Sequence, residues 1–147
     1  MREAWLAALL LLSGTVHPAV GATVSVSNAW SRATPPATTV GVVYAELVAT
    51  AADALIAIDA GDVAERAELH VSSNEGGTMK MRPMTSVTLA ASQPVRFQPG
   101  GMHIMLIGLR KPLVAGTAVP LTFKFRSAAS LRVEAKVIGP GEHAPAL

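Results

Sequence analysis

Pro99-Gly100-Gly101-Met102-His103-Ile104-Met105-Leu106-Ile107 is the stretch on which the fold turns. A proline and two glycines make a tight turn, and the apolar run that follows reads as a strand. On a strand, His103 and Met105 share one face, while Met102, Ile104 and Leu106 pack behind. On a helix of about 3.6 residues per turn, the same pair would diverge by roughly 200°.

The flanking sequence has the same character. Val24 to Trp30 alternates apolar and polar residues, and Val40 to Val48 is rich in valine. Leu55 to Asp59, Glu65 to Ser73, Ser86 to Ala90, Pro94 to Gln98 and Val119 to Phe125 read as further strands. Leu131, Val133, Ala135 and Val137 alternate with Arg132, Glu134 and Lys136, a last strand with one wet face. Pro35-Pro36, Gly61-Asp62, Asn74 to Gly77 and Gly116 punctuate them, and Met79 to Met84, interrupted by Pro83, reads as irregular or briefly extended. An Ala-rich helix over Ala51 to Glu68 is the competing local reading, weakened by Gly61 and its β-branched neighbours. Many short strands with frequent turns predict an all-β sandwich or barrel, in a chain of 147 residues that suits one domain.

Met1 to Gly14 has a short charged start and an apolar run, followed by small residues ending at Gly21 or Ala22. Residues 1–22 are therefore expected to be a cleaved signal peptide, residues 23–138 the β domain and residues 139–147 a flexible tail. No cysteine follows the apolar run, so no lipoprotein anchor and no membrane anchor after cleavage are expected. The expected location is the periplasm or an equivalent compartment, where paired cysteines tend to be oxidised. Loss of Arg2 and Glu3 leaves the net charge at +2. Basic residues are scattered and aromatics few, which argues against a nucleic-acid partner.

All five methionines beyond the initiator (Met79, Met81, Met84, Met102, Met105) lie between His70 and Met105, with two of the four histidines. The chain has no cysteine. Imidazoles and thioethers without thiolate suit Ca²⁺, Mg²⁺ and structural Zn²⁺ poorly and favour Cu(I). A blue-copper electron-transfer centre would need a cysteine. His103 and Met105 form a two-ligand arm, His70 is a third candidate, and a methionine of Met79-Lys80-Met81 a fourth. Met84, Met102 and whichever methionine of that pair is unused read as packing or a backup ligand. His143 reads as a solvated tail residue.

The spacing His70, ten residues, Met81, twenty-one residues, His103-x-Met105 closely resembles the H-x10-M-x21-H-x-M pattern of the periplasmic copper chaperone family PCuAC. Glu68-Leu69-His70, Met79 to Pro83, Pro99 to Leu106, Gly108-Leu109, Ala29 to Pro36 and Val43-Tyr44 are similar to that family's blocks. Val71 stands where the family has an optional methionine, and the asparagine often found after the Tyr44 strand is absent; neither touches the four positions. The resemblance implies a cupredoxin-like Greek-key β-sandwich or barrel holding one Cu(I) per chain through His70, Met81, His103 and Met105; a monomer is expected. It also implies delivery to a copper-accepting protein, such as the cytochrome c oxidase subunit with the CuA site or another copper chaperone. General copper tolerance is the alternative role. A metal-free secreted β-sandwich for adhesion or assembly is the rival from another class. Four protein ligands leave no open coordination position, so no enzymatic activity is expected. Met81, on a Gly-flanked and Pro-limited segment, is expected to be the most detachable ligand.

Overall fold

A computed structural model describes residues 21–146. The expectations for the signal peptide fall almost wholly on residues outside that range. All regular elements among the described residues are strands: β1 (Val24–Arg32), β2 (Val40–Ala49), β3 (Asp53–Asp59), β4 (Ala64–Glu75), β5 (Thr78–Met84), β6 (Val87–Leu89), β7 (Val95–Phe97), β8 (Met102–Leu109), β9 (Ala118–Phe125) and β10 (Leu131–Ile138). The helical alternative over Ala51 to Glu68 is replaced by β3 and β4. Gly61, at φ +51° and capped by the Asp59 carboxylate at 2.8 Å, turns the chain between them.

The strands join in the order β5-β4-β8-β7-β2-β1-β10-β9-β3-β6, and β8 also pairs directly with β2. Non-consecutive neighbours make this a Greek-key arrangement rather than a meander. β1 lies antiparallel to β2 and parallel to β10, in register from Trp30↔Lys136 to Arg32↔Ile138. The sheet curls into a barrel that brings β3 against β4, the cupredoxin-like architecture expected of the sequence.

Period-two alternation decides what fills the barrel. Val43, Ala45 and Leu47 of β2, Ile104 and Leu106 of β8, Leu121 and Phe123 of β9, and Ala135 and Val137 of β10 are essentially inaccessible. Full burial of each large apolar side chain contributes about 1.5–3 kcal/mol, so stability resides on this inner face. β3 is anchored at its start by Asp53, whose carboxylate accepts backbone N–H bonds from Ala54 (2.8 Å), Ser127 (3.0 Å) and Ala128 (2.8 Å). Burial pushes its acidity in the other direction, but these donors outweigh it and hold the carboxyl below its ordinary range.

One reading at the margin changes. Met79 to Met84 is a regular strand, paired with β4 at seven positions from Glu75↔Thr78 to Leu69↔Met84. Pro83 is tolerated because β5 is the sheet's edge. Residues 139–146 turn back along β1, where Asn28 donates to the Ala146 carbonyl (3.0 Å) and Arg32 to that of Glu142 (3.4 Å).

Candidate metal site on the outer face of the β5–β4–β8 sheet

Directly paired residues of adjacent strands point to the same side of a sheet. Between β4 and β8 the pairs are Glu68↔Met105 and His70↔His103; between β4 and β5 they are His70↔Pro83, Ser72↔Met81 and Asn74↔Met79. His70, His103, Met105 and Met81 therefore share one face with Glu68 and Met79. The opposite face carries Leu69↔Ile104 and Ala67↔Leu106, turned into the core. Pairing thus brings the four predicted positions together from three strands.

The two imidazoles meet with ring centroids 5.8 Å apart and planes tilted by 39°. His103 is only 5% exposed although it stands on the outer face, and the His70 side chain is 14% exposed. Met105 is half-buried, whereas Met81 is 59% exposed. The site is consequently closed at β8 and open at β5.

Each ring is oriented by a different acceptor. His103 Nδ1 donates to the Gly101 carbonyl at 3.1 Å, an oxygen that also accepts the Ser72 N–H at 3.1 Å. The turn before β8 holds that carbonyl in place: Gly101 N–H donates to Gln98 O, Gln98 N–H to Met102 O, and Gly100 takes φ +81°. In neutral His103 the lone pair is then on Nε2, which has no hydrogen-bond partner among the described residues. His70 is the reverse. Its Nε2 donates to Glu68 Oε2 at 2.9 Å, so the lone pair sits on Nδ1, which is buried with no hydrogen-bond partner among the described residues. An unpaired buried acceptor is costly, and a ligand taking that lone pair would satisfy it. A carboxylate or carbonyl behind the ring is the usual second partner of a metal-binding histidine.

Glu68 also accepts from Arg66 Nε at 2.7 Å. The His70 hydrogen bond first, and Arg66 second, hold its carboxyl below the usual range against the opposing effect of burial. Among the described residues no three His, Asp, Glu or Cys side chains form a group able to hold a metal ion. A donor set of more than two is reached here only by adding the thioethers, and such a set favours a soft ion.

The predicted spare methionines separate. Met84 and Met102 pack against the core, as expected of gap-fillers. Met79 does not: it is 57% exposed on the same face as Met81. His143 is an exposed residue of the C-terminal segment. Sequence reasoning missed the bond of Glu68 to the His70 ring; the two-residue spacing, which puts both on one strand face, was the available signal. It also missed the Gly101 carbonyl, which no side-chain pattern announces.

The outer face continues past Met105, which pairs with Val42, to Tyr44 and Trp30. Their rings lie 4.7 Å apart, and the Arg32 guanidinium sits 5.5 Å above the indole. Burial raises the Tyr44 phenol above its ordinary range, with Arg32 opposing. These residues, with Pro35 and Pro99, line a groove of about 480 Å³ along β1 and β2.

The LpqE-like family model matches residues 24–137, from the first residue of β1 to the last but one of β10. The chain belongs to the LpqE-like family. A relative, Lxx21020 of Leifsonia xyli subsp. xyli (strain CTCB07), carries the name of a lipoprotein. It is 31% identical over 104 residues, which are 69% of this chain and 61% of that protein. The chain thus spans about three fifths of the relative's length. Among solved structures, the copper-bound PCuAC domain from PmoF2 superposes with a TM-score of 0.67 at 24% identity, covering 80% of this chain and 93% of that one. The Cu(I) form of DR1885 from Deinococcus radiodurans gives 0.56 at 27% identity, covering 75% and 74%. This LpqE-like chain has the fold of PCuAC domains, and the family resemblance read from its sequence is borne out.

Proposed function

We propose that this protein is an exported carrier of Cu(I), binding one ion per chain through His70, Met81, His103 and Met105 and passing it to a copper-accepting protein. The observation that carries the reading is the convergence, by strand pairing alone, of two imidazoles and two thioethers on one outer face. Two neutral nitrogens and two neutral sulfurs form a soft donor set. It suits Cu(I) and offers hard cations nothing they prefer.

The hydrogen bonds support a particular choice of donor atoms. His70 would bind through Nδ1, left without a partner, and His103 through Nε2. Glu68 and the Gly101 carbonyl keep those lone pairs directed at the ion. His103 and Met105 hold it from the barrel side, and Met81, exposed on the edge strand, is the ligand that yields first to an acceptor. A carrier must release its cargo, and one labile thioether provides that step without proton transfer.

The apolar N-terminal run places the carrier in the periplasm on this reading. The copper-bound state of the similar PmoF2 and DR1885 structures supports copper as the cargo. The CuA site of cytochrome c oxidase is the acceptor the resemblance favours, with a role in copper tolerance as the alternative. No catalytic step is part of this reading.

Anaerobic Cu(I) titration against a chromogenic chelator tests it. The wild type should take up one equivalent. His103→Ala should weaken binding by more than the roughly 10–100-fold that follows loss of an outer hydrogen-bond partner. A wild type that takes up no Cu(I), or a His103→Ala variant that binds as the wild type does, would overturn the assignment.

A further inference from the structure

Five large hydrophobic side chains stand exposed among the described residues, and two of them, Met79 (57%) and Met81 (59%), belong to one strand. Methionines so exposed contribute nothing to the core. They lie two residues apart on the site face, about 6.6–6.8 Å along the strand, and each has three rotatable bonds, so the two sulfurs can reach a common ion. Between them Lys80 points to the other face, as does Arg82. Both are held there by Glu75, at 2.9 and 2.6 Å. The methionine face is thereby left without a competing cation from its own strand. β5 is the outermost strand, so an approaching partner meets Met79 and Met81 before it meets the 5% exposed His103.

We infer that Met79 is a capture ligand: Cu(I) is first held by Met79 at the open edge, then moves inward to the histidines and Met105, and Met81 closes on it last as Met79 gives way. Release follows the reverse order. This rests on the Cu(I)-carrier reading and adds to it a fifth residue that serves transfer rather than storage. Each step exchanges one copper–ligand bond for another. Copper remains Cu(I), the thioethers have no proton to lose, and the imidazoles bind through lone pairs already free. No oxidant, reductant or base is consumed.

The test is anaerobic stopped-flow transfer of Cu(I) between a bicinchoninate complex and the full chain, alongside the equilibrium competition constant. The variants are Met79→Leu, Met81→Leu and Met84→Leu. Met79→Leu should slow loading and unloading alike by roughly five- to tenfold, while its equilibrium constant stays within about twofold of wild type, the scale of a neutral surface change. Met84→Leu, on the core-facing side, should alter neither. A Met79→Leu rate equal to that of Met84→Leu overturns the capture step alone. An equilibrium loss matching Met81→Leu overturns it too, since Met79 would then be a resident ligand. A wild type that takes no Cu(I) removes both this step and the carrier reading beneath it.

Discussion

β8 and β5 flank the same strand and contribute side chains to the same face, yet they are built in opposite ways. β8 lies inside the sheet, paired to β4 on one side and to β2 and β7 on the other, with Ile104 and Leu106 fully buried beneath it. β5 has β4 as its one neighbour, and every residue from Thr78 to Pro83 is exposed. His103 on β8 is therefore fixed by packing and by a backbone carbonyl, while Met81 on β5 is fixed by strand pairing alone. A site that must hold an ion and also release it needs both kinds of support. Here they come from where each strand sits in the sheet rather than from special loops.

The contrast breaks most visibly if the inner support is removed. Ile104→Ala deletes a fully buried side chain next to His103 and should destabilise the apo protein by about 2–5 kcal/mol in chemical denaturation. Met81→Leu, on the exposed strand, should stay within about 0.5 kcal/mol of wild type. Comparable losses at the two positions would mean that β5 is as integral to the barrel as β8.

A smaller effect should follow from the turn that feeds β8. Gly100 adopts φ +81°, where a Cβ costs about 1–2 kcal/mol, and nothing crowds the site sterically. Gly100→Ala should therefore lower stability by about that amount. It should also weaken Cu(I) binding, because the strained turn displaces the Gly101 carbonyl that orients His103. A loss of stability with copper affinity unchanged would show that packing, not the carbonyl, aims the ring.

Why one arm of the site was readable in the sequence and the other was misread follows from the same contrast. β8 is a strand whose apolar partners alternate with His103 and Met105, so periodicity discloses both its type and its facing. β5 has Pro83 inside it and two glycines before it, signals that ordinarily end a strand. They are harmless here because an edge strand tolerates proline, and because Gly76 and Gly77, both at positive φ, close a tight hairpin. The exposure of Met79 was hidden for a related reason: methionine composition does not distinguish a core gap-filler from a surface thioether, whereas pairing with Asn74 does. The opposite tautomers of His70 and His103 depend on which oxygen each ring meets, a tertiary fact with no sequence period. Likewise the contact between Trp30 and Tyr44 follows from the pairing of β1 with β2, beyond any local pattern.

The smallest effect is expected at Glu68, on the strand that joins the two halves. Its carboxyl is held below the ordinary range first by the His70 hydrogen bond and then by Arg66. The folded state thus binds fewer protons at this position than the unfolded chain. The resulting stabilisation is present above the usual glutamate value of about 4.3 and is lost as the pH falls through the depressed one. The Glu68 side chain is 35% exposed, so solvent screens the interaction and keeps its contribution small. Denaturation midpoints of the apo wild type and Glu68→Gln should differ by a small amount at about pH 5, just above the usual glutamate value, and converge as the pH falls below about 4. A gap that widens as the pH falls below about 5 would mean that the carboxyl is favoured in its protonated form. Glu68 would then be a donor to its surroundings, and the orientation of His70 toward an open Nδ1 would lose its acceptor.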